Sequence, residues 1–142
     1  MIQKEKDLLL KDLSARLPYG VKVQSSNHED DIETVETLYN IDSDGYMSTL
    51  ECDTLKSITK PYLFPLSSMT DKLWEKEFME CGITEFTRDS FKYGCETLEF
   101  NNNNPNLSNM VKFINQLIKN HFDVYGLIPM GLAKDATNLN IY

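Results

Sequence analysis

Leu9, Leu10, Leu13 and Leu17 recur at three- and four-residue spacing between charged neighbours, which predicts an amphipathic helix over residues 4–17. Pro18 and Gly20 end it. Residues 21–24 alternate apolar and polar as a short strand does, and the polar run SSNHEDD over residues 25–31 reads as a loop. TVETLYNI, residues 34–41, is rich in β-branched and aromatic side chains. As a strand it places Val35, Thr37, Tyr39 and Ile41 on one side, and Thr34, Glu36, Leu38 and Asn40 on the other. Asp42-Ser43-Asp44-Gly45 supplies turn chemistry, and residues 46–50 resume the extended pattern. LKSITKPYLF, residues 55–64, adds another short strand ended by Pro61 and Pro65, completing an antiparallel meander or small partly open barrel.

The pattern then changes period. Ser68-Met69-Thr70-Asp71 spells a capping box, with the Ser68 hydroxyl and the Asp71 carboxylate taking otherwise unpaired amides. On the helix that follows, Trp74, Phe78 and Cys81 share a face, and Gly82 is a natural stop. Residues 83–100 carry two signals: Phe91, Tyr93, Cys95 and Thr97 alternate like a strand, whereas Phe91, Cys95 and Leu98 suit a helix. The strand reading is preferred. Asn101 to Asn104 with Pro105 form a polar loop. Over residues 107–120, Met110, Val111, Phe113, Ile114, Leu117 and Ile118 make a broad apolar stripe of the kind that packs on a sheet. Gly126, Pro129 and Gly131 break the regularity of the tail, where one short helical turn is expected around residues 132–136. The reading is a single α+β domain over residues 1–142: a small antiparallel sheet or partly open barrel, flanked by an N-terminal helix and at least two C-terminal helices.

Charge changes the picture more than overall composition does. The 14 Lys and Arg against 22 Asp and Glu give a formal charge of -8, which opposes nucleic acid and anionic membranes and favours a protein partner with a basic surface. Between Lys22 and Lys56 lie Glu29, Asp30, Asp31, Glu33, Glu36, Asp42, Asp44, Glu51 and Asp53 with no Lys or Arg. Such runs usually serve as solvated surface. As a partner-binding patch, the residues to name are Glu29, Asp30, Asp31, Glu33 and Glu36.

Cys52, Cys81 and Cys95 are odd in number and widely spaced, which suits a reducing compartment more than a disulfide framework or zinc ribbon. The N-terminal MIQKEKDLLLKDL interleaves charges with leucines and so does not read as a signal peptide. Nor does any run approach the ~20 apolar residues a spanning helix needs. A soluble, cytoplasmic protein is expected.

NIDSDGYMSTLE, residues 40–51, matches a calcium loop slot by slot. Asn40, Asp42, Asp44, Ser48 and Glu51 would be the ligands, with Tyr46 giving a carbonyl and Gly45 at the sharp turn. The flanks favour a hairpin: residues 32–39 are heavy in Thr and Val, Glu36 stands where an apolar residue should be, and no second loop exists to pair with this one. Calcium stays as the alternative, and no other cofactor is expected. His28 and His121 lack partners at a recognised metal spacing, although Asp123 lies two residues beyond His121. A helix-end histidine bonded to a nearby carbonyl or carboxylate is the expected role. There is no G-x-S-x-G elbow and no phosphate-binding glycine pattern. Trp74, Phe78, Phe91, Tyr93, Phe113 and Phe122 read as core residues, not as a stacking platform. No enzymatic activity is expected.

SARLPYGVKV, KPYLFPLSSMT and HFDVYGLIPMGLAKDAT, starting at Ser14, Lys60 and His121, together resemble a family of short uncharacterised proteins encoded by gut bacteriophages, prophages and related mobile elements. The family has no established activity, so the resemblance transfers no functional residue. It implies that residues 25–57 form a variable, strand-rich surface, suited to partner binding or to tolerated drift.

Overall fold

A computed structural model describes residues 1–26, 33–49, 60–95, 97–100 and 106–142. The fold is α+β, as the residue pattern indicates, with helices and a small, unclosed three-stranded antiparallel sheet. The chain divides into two compact units, Met1–Leu63 with Tyr125–Tyr142, and Phe64–Val124.

In the first unit, α1 (Gln3–Arg16) buries Leu9 and Leu13, and runs into a 3-10 turn over Leu17–Tyr19 that Gly20 closes in the left-handed region at φ 69°. The sheet follows the order β1 (Lys22–Ser26), β2 (Glu33–Ile41), β3 (Met47–Thr49). Val23 faces Glu36 across β1 and β2, while Leu38 faces Thr49 and Ile41 faces Met47 across β2 and β3. The register slips between Leu38 and Asn40, where β2 carries one residue more than β3. This bulge overturns the simple alternation expected for the strand: Leu38 and Ile41 both reach the core, although an unbroken pleat would put them on opposite sides.

Residues 60–63 pair on two sides. Gln24 N donates to Lys60 O at 2.9 Å, while β4 (Tyr62–Leu63) runs parallel to β5 (Lys134–Asp135). The strand expected over residues 55–64 is therefore present at its end, residues 55–59 lying outside the described residues, and it joins the tail as well as the meander. The helical turn expected at residues 132–136 is instead this strand, tied by Lys134 N to Pro61 O and Ala136 N to Leu63 O, both 2.8 Å. Leu127, Leu132 and Ala133 then complete a core with Leu9, Leu13, Val21, Val23, Leu38, Met47 and Leu63.

The second unit is helical. Thr70, not Ser68, caps α2 (Asp71–Glu77), its hydroxyl accepting from Leu73 N at 3.2 Å. Ser68 lies in the preceding 3-10 turn and donates to Pro65 O at 2.7 Å. The preferred strand reading of residues 83–100 is corrected by α3 (Glu85–Lys92), which buries Thr87, Ser90 and Phe91 at helical spacing and leaves Tyr93 exposed. Tyr93 is thus not a core residue. The helix α4 (Leu107–Lys119) buries Phe113, Leu117 and Ile118. The core partners of Phe113 and Leu117 within this unit are Trp74, Phe78, Cys81, Ile83, Phe91 and Phe122, on helices and turns and not on a sheet, while Met110, Val111 and Ile114 of the expected stripe are exposed. Phe113 meets Trp74 and Phe78 edge-on, at centroid distances of 6.1 and 5.6 Å. No helix among the described residues is long and apolar enough to cross a membrane.

Candidate interaction surface

The acidic stretch becomes concrete at the β2–β3 hairpin. Asp42 Oδ1 accepts from Asp44 N and Tyr46 N, both at 2.9 Å, and Gly45 N donates to Asp42 O at 3.0 Å. Asp42 thus builds its own turn. Gly45 sits at φ 81°, and a Cβ there would approach Leu10 Cδ1 to 3.2 Å, so both backbone conformation and packing call for glycine. Asp42 and Asp44 are exposed at this tip.

Of the residues matched to a calcium loop, the structure brings Asn40, Asp42, Asp44 and Ser48 onto one hairpin, while Glu51 lies outside the described residues. The residues entering the loop form β2, where an EF-hand requires a helix. Among the described residues, no group of three or more His, Cys, Asp or Glu is arranged to hold a metal ion.

Of the residues named for partner binding, Glu29, Asp30 and Asp31 lie outside the described residues, and Glu33 opens β2. Glu36 faces the inner side of the sheet, with Leu38. Its carboxylate accepts from Thr34 Oγ1 at 2.8 Å and from the Thr49 hydroxyl. Partial burial pushes this carboxyl up, but hydrogen bonds from Thr49, Thr34 and Ser25 outweigh that and hold it below the usual glutamate range. Glu36 is thus already satisfied by hydroxyls of its own sheet.

The opposite side of the sheet is where the hairpin meets solvent. Val35, Tyr39 and Tyr46 are 43%, 67% and 58% exposed. Lys22 is the one cation that β1, β2 and β3 place on this side among the described residues, and its Nζ donates to Thr37 Oγ1 at 2.6 Å. The sequence marked Tyr46 only as a backbone carbonyl of the calcium loop and did not mark Tyr39 as a surface ring, because alternation alone assigns Tyr39 and Ile41 to the same face.

Two further features carry chemistry without forming a site on this surface. Asp12 and Arg16 are fully buried and joined by two bonds, Nε to Oδ2 at 2.7 Å and Nη2 to Oδ1 at 2.8 Å. The i,i+4 spacing inside a leucine stripe was a legible signal for this pair. His121 and Asp123 are buried at the end of α4, where Phe122 N donates to Leu117 O at 2.9 Å and His121 N to Ile118 O at 3.0 Å. His121 takes the left-handed position of that helix stop at φ 59°. Cys81 is buried, which pushes its thiol up, and Cys95 is exposed.

Comparison of the chain with protein-family models, with curated proteins and with solved structures finds no match.

Proposed function

We propose that this is a small acidic interaction protein of phage or mobile-element type, without catalytic activity of its own, which binds a host or phage protein partner through a basic surface on that partner. The observation that carries this reading is the block of nine acids without a Lys or Arg between Lys22 and Lys56, part of which the hairpin projects into solvent as Asp42 and Asp44. Opposite charge speeds encounter and selects against nucleic acid and other acidic partners.

The test is retention of a partner from host or infected-cell extract by the whole chain, compared with a variant carrying Asp42→Asn, Asp44→Asn, Asp30→Asn and Asp31→Asn. The expected partner is basic, is held at low salt, is released as screening shortens the reach of the charges, and is not held by the variant. Retention of nothing at low salt, or equal retention by the neutralised variant, refutes the reading.

A further inference from the structure

We infer that the outer face of the β2–β3 hairpin is a docking surface selective for arginine side chains over lysine; this rests on the interaction-protein reading and specifies the chemistry its partner presents. The argument starts from the register. Ile41 and Met47 face each other and both enter the core, so the next rung, in which Asp42 N donates to Tyr46 O at 2.9 Å, points outward. Asp42 and Tyr46, just beyond the ends of β2 and β3, thus put a carboxylate and a phenol ring at facing positions of the hairpin turn. The bulge after Leu38 adds Tyr39 to the same side, since Leu38 and Ile41 both turn inward around it.

Rings this exposed are not explained by packing. Val35, Tyr39 and Tyr46 contribute to neither hydrophobic core, whereas tyrosine is enriched where proteins meet partners. What the face lacks is a cation on β2 or β3 to neutralise Asp42 and Asp44; Lys22, on β1, is held by Thr37. Charge complementarity therefore calls for a cationic partner, and the rings decide which cation. A guanidinium is planar and weakly hydrated, so it can lie on a tyrosine ring while its N–H edge reaches a carboxylate. An ammonium is a compact, strongly hydrated charge that gains less from the ring. Asp42 commits Oδ1 to the turn, leaving Oδ2 to accept from such an edge.

The experiment is a binding titration of the whole chain at low salt with labelled oligo-arginine and oligo-lysine peptides of equal length, followed by fluorescence anisotropy and by amide shifts around Gly45. Oligo-arginine is expected to bind about fivefold more tightly, the scale of two exposed cation–π contacts. Tyr39→Ala with Tyr46→Ala, at exposed positions that leave the cores intact, should abolish this preference while oligo-lysine binding stays the same. Equal binding of the two peptides, or a preference that survives loss of both rings, overturns the arginine inference and leaves the interaction reading standing. Binding of neither peptide overturns both.

Discussion

The buried Asp12–Arg16 pair makes the most demanding quantitative prediction about this fold. Both side chains are sealed, at 0% exposure for Arg16 and 1% for Asp12, and the guanidinium grips the carboxylate with two short bonds on successive turns of α1. Removing one partner takes away the opposite charge that the other faces in a fully buried position on α1, the helix that also buries Leu9 and Leu13. Arg16→Met, which keeps much of the volume, should therefore cost about 3–5 kcal/mol. Asp12→Leu alone should cost a similar amount, by leaving the guanidinium without its carboxylate. Attraction within such a pair offsets its desolvation only roughly, so the double variant Asp12→Leu/Arg16→Met should lie within about 1–2 kcal/mol of the parent protein. Urea unfolding followed by amide signals of the first unit measures all four corners of the cycle. A cost below about 1 kcal/mol for Arg16→Met, or a double variant as unstable as the sum of the singles, would show that the two charges do not depend on each other for their burial and would refute the reasoning.

Two further outcomes follow from single contacts. The Tyr142 hydroxyl donates to Tyr62 O at 2.7 Å and accepts from Lys22 N at 3.0 Å; although the residue as a whole is 43% exposed, burial around the hydroxyl, against the opposing pull of the Lys22 amide and Arg16, pushes its phenol up to about 12. A raised value means that the folded protein holds this proton while the unfolded chain loses it near pH 10, so the stabilisation is complete below about pH 10 and disappears as pH rises towards 12. Tyr142→Phe should cost about 1–2 kcal/mol at neutral pH, and its gap from the parent protein should narrow over that alkaline window; a constant gap would refute the assignment. Calcium should leave the Gly45 amide without a saturable shift, because β2 occupies the place of the entering helix; a saturable downfield movement, followed by NMR, would restore the ion-loop reading.

The elements legible in the sequence are those whose partners are local. Leucine spacing with Pro18 and Gly20 outlined α1 to within a residue or two, and Asp42-Ser43-Asp44-Gly45 marked the hairpin turn, because both signals act within a few residues. The tail shows the contrary case: whether Lys134 and Asp135 are extended or helical is decided by β4, more than seventy residues earlier in the chain, and no local pattern encodes that partner. α3 failed for a different reason. Phe91, Tyr93, Cys95 and Thr97 alternate convincingly, but only Phe91 of these is buried in the structure, and the informative set was Thr87, Ser90 and Phe91, two of them polar. Polar residues that bond inward are invisible to a hydrophobic pattern: Thr87 Oγ1 accepts from Glu99 N at 2.8 Å, and Ser90 Oγ donates to Thr97 O at 3.1 Å.

The same reasoning separates what charge and geometry each contribute to the interaction surface. That residues 23–55 are acidic is a property of composition and could be read directly. Which side chains face solvent is a property of side-chain direction, and one extra residue in β2 decides it. With an unbroken pleat, Tyr39 would share a side with Ile41 and be drawn towards the core; with the bulge, Leu38 and Ile41 fill the core and Tyr39 is left 67% exposed. Glu36, beyond the bulge in the other direction, keeps the inner register and binds the sheet's hydroxyls. The bulge thus sorts one acidic strand into a carboxylate used for the fold and an aromatic, acid-flanked face that meets solvent.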